Sequence, residues 1–446
     1  MRRLLALLLA LLLLSAAARA EEPEEGFYTQ MPPDLCFTQK VRAEWYSKYV
    51  TIQKIYPQTS NALVDEEIRA LVDEMVAGAE DALPERPASD VRIDAGTVIS
   101  RTGTSWMSFL TLCEVTYQSD LLHMSFDERA YDMSTGERLT LTDVFAQDDE
   151  AAWTYIAEGV REQLLAAFPD EEADEAALDA LCDVKNLQSA PFSLGAARLM
   201  ITFRADAIYP EKNTLLHAVF YYPDVRPMMT KRAQAQTDNS RYRMIALTFD
   251  DGGWSGRTRR VLEQLQTHGA QATFFVVGRH MHNTHASLMR ENNAGHSVQS
   301  HTYTHRYPWQ ITVAEAVEED ARFRRELSSI IGVAPTLLRA PGGHEEPYLS
   351  EEFSYPLIHW SLAGGDSGVT RGASTVSNKV IYNIRDGSVV LLHDSGELVA
   401  TYTGTILDYM EENGILCVTV QELYADAGVP LEARRIYFSP RDVRDK

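Results

Sequence analysis

The chain has 446 residues, of which 45% are hydrophobic, and its formal net charge is −23. This length and composition predict a folded protein of two or three domains and exclude a chain that is disordered overall. The acidic balance excludes the usual profile of a nucleic-acid-binding protein and argues against simple adsorption to anionic lipid. The sequence leaves the oligomeric state open.

Residues 1–20 have the parts of an export signal. Arg2 and Arg3 precede an apolar run at 4–18, and Ala18-Arg19-Ala20 has the small-x-small pattern of a signal-peptidase site. The apolar run is shorter than the roughly 20 residues that a membrane span requires. We therefore predict a signal peptide at 1–20 and a secreted or cell-surface protein without a membrane span after cleavage. The alternative is an uncleaved membrane anchor.

Four cysteines are consistent with an exported protein because disulfides persist outside the cytoplasm. They do not form a CxxC pair, so a zinc-ribbon site is excluded. The four residues are Cys36, Cys113, Cys182 and Cys417. Whether two of them form a disulfide stays open.

The N-terminal half alternates helical and strand-like patterns. An acidic, proline-containing tether is predicted at 21–34, and a smaller α+β module at 35–228. Helical spacing is found at 61–83 and 153–164, whereas strand patterns occur at 106–117, 121–131, 198–203 and 215–221. The polar stretch 230–241 breaks every period, and we place an inter-domain linker at 229–242.

The C-terminal half, 243–428, has short apolar strands that alternate with helices. Such alternation predicts βα units and a parallel sheet, closed into a barrel or doubly wound. Strands are predicted at 244–249, 272–277, 298–300, 337–340, 358–361, 389–392 and 416–420, and helices at 257–268, 312–331 and 403–412. Residues 429–446 are assigned to a C-terminal extension.

Polar residues follow several of these strands. They are Asp250 and Asp251, His301 and His305, Arg339, Asp366, and His393. Because the carboxyl ends of parallel strands form the ligand-binding face of an α/β fold, we expect these side chains to lie close together.

His301 and His305 have H-x-x-x-H spacing, which on a helical turn directs both imidazoles to the same side. With Asp251 as a third ligand, they would hold one divalent ion and leave positions open for water and substrate, as catalytic sites do. The ligand set favours zinc, although cobalt, nickel or iron would also fit.

The remaining residues suit hydrolysis of an amide or ester. Asp250, adjacent to a metal ligand, would accept the proton of an attacking water molecule. Arg339 would keep this base ionised and oriented, and His393 would protonate the leaving group.

The chain from about 243 to 427 resembles the metal-dependent polysaccharide deacetylases of carbohydrate esterase family 4. The motifs that carry the resemblance occur in the family's order: Thr248-Phe249-Asp250-Asp251-Gly252, His301-Thr302-Tyr303-Thr304-His305, Arg339-Ala340-Pro341-Gly342-Gly343 and Leu391-Leu392-His393-Asp394. The resemblance implies that Asp250 is the base, His393 is the acid, and Asp251, His301 and His305 are the metal ligands. It also implies that Arg339 braces the base, Leu391 lines an acetyl pocket, and the Pro341-Gly342 loop forms a groove wall.

The fourth motif departs from the family. Many members have an Asp-Trp pair in which the Asp supports the arginine and the Trp forms a groove wall, whereas this chain has Asp366-Ser367. Asp366 is retained as a catalytic candidate and Trp360 as a substrate-binding one. The family's fold implies a distorted (β/α) barrel of seven or eight strands. Residues 35–228 more weakly resemble accessory modules that precede exported wall deacetylases.

The leading hypothesis is therefore an exported N-deacetylase of peptidoglycan or a chitin-like glycan. It would act on N-acetylglucosamine or N-acetylmuramic acid residues. Two alternatives are an esterase for O-acetylated xylan or wall sugar and a non-catalytic glycan-binding protein.

Overall fold

The computed structural model describes residues 41–46, 50–83, 90–101, 105–117, 120–252, 255–367 and 372–441. The predicted signal peptide at 1–20, the tether at 21–34 and Cys36 lie outside the described residues. Within them, Cys113, Cys182 and Cys417 are free thiols, and no helix is long and apolar enough to cross a membrane.

The N-terminal module combines two sheets with several helices. In chain order its elements are β1 (Val41–Tyr46), β2 (Val50–Tyr56), α1 (Ala62–Asp81), β3 (Val91–Arg101), β4 (Trp106–Tyr117), β5 (Asp120–Asp132), β6 (Glu137–Leu139), α2 (Leu141–Val144), α3 (Glu150–Leu165), α4 (Glu175–Leu181), α5 (Val184–Gln188), β7 (Phe192–Leu194), β8 (Arg198–Arg204), β9 (Leu215–Tyr221), α6 (Tyr222–Val225) and α7 (Lys231–Gln236). Among the described strands, β1 to β6 form one sheet in sequential order and β7 to β9 form another. The neighbouring strands are antiparallel except for the parallel pair β2–β3.

Apolar periodicity explains the two long helices of this module. The side chain of Asn61 caps α1 by accepting from the backbone N–H groups of Leu63 and Val64. One stripe of α1 is buried, as is the stripe of α3 that contains Trp153 and Ile156. The helices and strands predicted in this region from periodicity are thereby confirmed.

The stretch between the two halves contains a helix that the sequence analysis does not predict. Thr230 accepts a hydrogen bond from the N–H of Ala233 and so caps α7. Ala233 is buried in the same apolar cluster as Trp153 of the module. The mostly polar sequence of α7 gives no apolar periodicity, because the helix packs through the single buried side chain of Ala233.

The C-terminal half is an α/β unit. Its elements are β10 (Arg243–Asp251), α8 (Ser255–Thr267), β11 (Thr273–Val276), α9 (His285–Asn293), β12 (Ser297–Ser300), α10 (Val313–Ile331), β13 (Leu357–Ile358), β14 (Leu362–Ala363), α11 (Ala373–Ile381), β15 (Val389–His393), α12 (Val399–Glu412), β16 (Ile415–Cys417), α13 (Val420–Asp426) and β17 (Ile436–Tyr437). Thr312 and Glu315 form the predicted capping box of α10.

All the strand pairs described in this half are parallel. The order β12-β11-β10-β15-β14 forms the main sheet, and single bridges at Leu338 join β12 to β13. The expected parallel α/β architecture is confirmed. Among the described residues no ladder joins β13 to β14, so the closed barrel of seven or eight strands stays a prediction.

Two predicted strands are shorter than expected. The segment 337–340 pairs only at Leu338. Of the segment 358–361, only Ile358 lies in a strand, β13, and the next strand, β14, begins at Leu362. The guanidinium group of Arg339 donates hydrogen bonds to the carbonyl oxygens of Ile358 and His359. The chain at Ile358 and His359 is thus held by a side chain as well as by the pairing of β13 with β17.

The predicted strand 416–420 also ends early. Its last residues become the start of α13, where Thr419 and Glu422 form a capping box. Two mutually satisfying hydrogen bonds thus favour a helix start over further strand pairing.

Helix α9 connects the two halves. Asn293 accepts hydrogen bonds from the hydroxyl of Thr214 and the backbone N–H of Leu215. Arg290 of α9 forms an ion pair with Glu114 of β4. The module therefore contacts the α/β unit through polar as well as apolar groups.

Candidate active site

The register of the parallel strands brings the predicted site residues to one edge of the sheet. Asp250 pairs with His393 on one side and with Phe275 on the other. Ser300, which precedes His301, pairs with Val276 at the same level. The strand ends thus meet as expected for a ligand-binding face.

Asp251, His301 and His305 form a cluster of candidate metal ligands. One ligand atom from each residue lies within 4.8 Å of the others. A carboxylate and two imidazoles are a donor set that suits zinc and related divalent ions. Burial and the neighbouring His301 lower the pKa of His305, which favours the neutral imidazole that metal binding requires. By these criteria the residues fit a divalent ion.

The backbone that positions these ligands is not a helical turn. His301 to His305 lie in a loop in which Thr302 and His305 have φ angles of 65° and 59°. Asp251 has a φ of 80°. These left-handed conformations are uncommon outside glycine. The predicted pairing of the imidazoles is therefore confirmed by their ring separation of 4.9 Å, but the helical reason for it is wrong.

The tautomer of His301 follows from its hydrogen bond. Its Nδ1 lies 2.8 Å from the carbonyl oxygen of Arg339, which can only accept. Nδ1 therefore carries a hydrogen, so Nε2 is the nitrogen of His301 that could bind a metal ion. This Nε2 lies 3.6 Å from Oδ2 of Asp250.

Arg339 and Asp250 form an ion pair that is almost completely buried. Arg339 is 1% exposed and Asp250 is 3% exposed, and Nη1 lies 2.7 Å from Oδ1. The guanidinium group also donates to the hydroxyl of Thr248 and to two backbone carbonyls. Every nitrogen of Arg339 is thus hydrogen-bonded, which holds Oδ1 of Asp250 in place.

Asp366 contacts His393 rather than Arg339. Its Oδ1 lies 3.0 Å from Nδ1 of His393, and its Oδ2 accepts from the backbone N–H of the same residue. The hydroxyl of Tyr402 also donates to Oδ2, at 2.7 Å. The resemblance implied that Asp366 supports Arg339, and this expectation is wrong. Asp366 instead orients the imidazole of His393.

The protonation of His393 is shifted by these neighbours. Burial lowers its pKa, but the hydrogen bond from its ring to Asp366 and the negative charges of Asp250, Asp366 and Asp251 outweigh burial and raise it to about 9. His393 is therefore protonated at neutral pH. With Nδ1 directed at Asp366, the proton on Nε2 is available for donation.

Three residues that contribute to the site were missed by sequence reasoning. Thr248 holds Arg339, Tyr402 holds Asp366, and Asp394 accepts from the N–H of Gly252. Thr248 and Asp394 lie within the motifs quoted above, so their place in the motifs could have identified them as site residues. Tyr402 lies in α12 without a motif, and only the folded chain brings it to Asp366.

The predicted substrate-binding residues surround the same edge. Leu391 and Pro341 are buried, and Gly342 is exposed with a φ of 65°. Trp360 is half-buried, and its ring stacks on that of His359 at 3.9 Å. Their contact with substrate stays a prediction.

Comparison with known proteins agrees with this geometry. A family model described as polysaccharide deacetylase matches residues 237–354. A peptidoglycan-N-acetylglucosamine deacetylase of Bacillus cereus is 30% identical over 189 residues, which are 41% of this chain and 88% of that protein. The chain belongs to the polysaccharide deacetylase family. The predicted family membership is thereby confirmed.

Two other relatives are longer than the Bacillus cereus protein. Peptidoglycan-N-acetylglucosamine deacetylase PgdA of Listeria monocytogenes is 34% identical over 200 residues, 45% of this chain and 42% of its own length. Peptidoglycan-N-acetylmuramic acid deacetylase PdaC of Bacillus subtilis is 28% identical over 188 residues, 42% of this chain and 40% of its own length. The chain thus matches about two fifths of the length of these curated relatives.

Proposed function

We propose that the chain is an exported, metal-dependent hydrolase that removes N-acetyl groups from wall glycan. The observation that carries the proposal is the cluster of Asp251, His301 and His305 beside the buried pair of Asp250 and Arg339. Membership of the polysaccharide deacetylase family supports the same reaction class.

Each residue near the cluster has a role in amide hydrolysis. Asp251, His301 and His305 would hold a divalent ion, which would supply Lewis acidity at the acetyl carbonyl and make water a stronger nucleophile at neutral pH. Asp250 accepts the proton of the attacking water molecule while Arg339 fixes its other carboxylate oxygen. His393 donates the proton from Nε2 to the departing nitrogen. The products are acetate and a free amino sugar.

The proposed substrate is peptidoglycan or a chitin-like glycan. The relatives named as acting on peptidoglycan support N-acetylglucosamine or N-acetylmuramic acid as the sugar. Export by the signal peptide at 1–20 would place the enzyme at the cell surface, where wall glycan is found. The proposed fold of the catalytic half is the distorted barrel of this family.

The direct test is acetate release from peptidoglycan and from chitooligosaccharides. We expect the purified chain to bind one divalent ion, to release acetate, to lose this activity with a chelator and to regain it with zinc. Replacing His305 by Ala should remove the ion and lower acetate release by about 100-fold or more.

His282→Ala is the matched control because His282 is an exposed histidine whose ring contacts only the backbone carbonyl of Arg279 and the side chain of Asn283, among the described residues. It should retain the ion and the activity. Release from O-acetylated xylan alone would favour the esterase. Glycan binding without acetate release, together with failure to hold an ion, would favour the non-catalytic alternative.

The contact between Asp366 and His393 predicts a change in pH dependence. The acid must be protonated, so activity should fall on the alkaline side near the His393 pKa of about 9. Asp366→Asn removes one negative charge, so the alkaline limb of kcat/KM should move to lower pH. Tyr402→Phe keeps the carboxylate and should move the limb less. An unchanged limb in folded Asp366→Asn would contradict the assignment of His393 as the acid.

A further inference from the structure

A group of three aromatic side chains, Tyr307, Trp309 and His344, continues outward from the candidate metal ligands. The ring of His305 lies 6.0 Å from that of Tyr307. Trp309 stacks parallel to Tyr307, with centroids 4.8 Å apart and an interplanar angle of 2°. His344 meets both rings edge-on. We call these three residues the aromatic platform.

The outer member of the platform is exposed although it is held firmly. Trp309 is 70% exposed, so one face of its indole rests on Tyr307 and the other is left to solvent. It lies in the short helix Pro308–Gln310. Tyr307 and Gln310 close this turn by two reciprocal hydrogen bonds of 2.9 Å and 2.8 Å. An exposed aromatic ring on a fixed backbone loses little entropy when it binds a partner.

The platform is continuous with the predicted groove wall. A Cβ atom on Gly342 would lie 2.8 Å from Cε1 of Tyr307, so the 341–343 loop packs directly against the platform. The tryptophan wall that many family members have is Ser367 here. Trp360 is half-buried: one face of its ring stacks on His359, and a Cβ on Gly343 would lie 3.0 Å from its Cη2.

The cation nearest the platform in sequence is already paired, so the open ring of Trp309 suits a neutral, apolar surface. Arg306, the nearest cation in sequence, is engaged by Glu315 and Glu319 at 3.1 Å and 2.8 Å. Arg306 is therefore not a free positive charge beside the exposed ring of Trp309, which offers an apolar face. A pyranose ring presents such a face through its C–H groups, and aromatic rings with a flat open surface pack well against it.

The geometry points to the aromatic platform as the subsite for the sugar next to the one that loses its acetyl group. This inference rests on the proposed function, because the sugar unit bound at the metal site determines which adjacent sugar unit of the glycan lies against Trp309. The family's tryptophan wall is Ser367 here, and the platform offers another exposed aromatic surface beside the 341–343 loop. Recognition of chain length, rather than of the acetyl group, is its expected contribution.

The test compares Trp309→Ala with the wild-type holoenzyme on chitohexaose and chitobiose. We expect KM for chitohexaose to rise about tenfold, with a smaller rise for chitobiose and most of the loss in KM rather than kcat. Trp309→Phe should restore most of the affinity. Tyr382→Ala removes another aromatic side chain, 74% exposed, and should leave both constants unchanged.

Binding is measured separately by calorimetry with chitohexaose, in Asp250→Asn and in the double variant with Trp309→Ala. A weaker Kd in the double variant supports the subsite, and equal Kd and KM values with and without Trp309 would overturn it. If the proposed function itself fails, wild-type protein releases no acetate from any glycan. The two failures are therefore distinguishable.

Discussion

Asp250→Asn should lower kcat for acetate release by about 10²–10⁴-fold, the usual contribution of a general base. Asparagine has the same shape but cannot accept the proton of an attacking water molecule. Asp250 is adjacent to a metal ligand and has one oxygen fixed by Arg339, so no other carboxylate of the described site can replace it. Metal content should be retained, because Asp250 is not in the ligand cluster.

The same substitution changes the folded state, and the two effects must be separated. Arg339 would keep a hydrogen bond to the amide oxygen but lose the one carboxylate it pairs with among the described residues. The free energy of unfolding should fall by up to about 3 kcal/mol. Asp132→Asn is a matched control. Asp132 is a buried carboxylate that is paired with Arg232 at 2.8 Å, and it lies in the N-terminal module, away from the candidate site. It should lower Tm without lowering kcat, whereas more than a tenth of wild-type kcat in Asp250→Asn would exclude Asp250 as the base.

The sequence predicted which residues meet because strand direction alone brings them together. In parallel strands every carboxyl end reaches the same edge, so polar residues that follow apolar runs become neighbours. Asp250, His301, Arg339 and His393 obey this rule. Periodicity could not predict left-handed backbone at Thr302, because threonine gives no local signal for a positive φ.

The contact of Asp366 with His393 is set by the register of β14 against β15, which the sequence pattern does not reveal. β14 pairs with β15 so that Ala363 lies opposite Leu391, and the chain beyond it brings Asp366 to His393. A shift of the pairing would have placed the carboxylate elsewhere. Motif order therefore indicated that Asp366 belongs to the site, while its contact required the folded sheet.

The contact between the module and the α/β unit could not be predicted from the sequence either. Amphipathic spacing identifies a buried face but not what covers it. On α9 the face toward β4 carries Arg290, a residue type that patterns assign to solvent. Its guanidinium group is instead paired with Glu114, which is 3% exposed, and lies 3.5 Å from Asp94.

Arg290→Met should therefore destabilise the whole chain by about 3 kcal/mol, because it leaves the carboxylate of Glu114 buried without a counter-charge. The loss should be at the lower end of the range for a broken buried pair, since Asp94 keeps its contact with Arg92 at 2.7 Å. Denaturant unfolding of full-length protein measures it. In the double variant Glu114→Gln with Arg290→Met both charges are absent, and most of the stability should return, since a neutral pair needs no compensation. Equal stability of Arg290→Met and wild type would mean that this ion pair does not join the module to the α/β unit. If the double variant regains the full wild-type free energy of unfolding, the ion pair adds little net stability. Its role would then be to determine how the module and the α/β unit fit together.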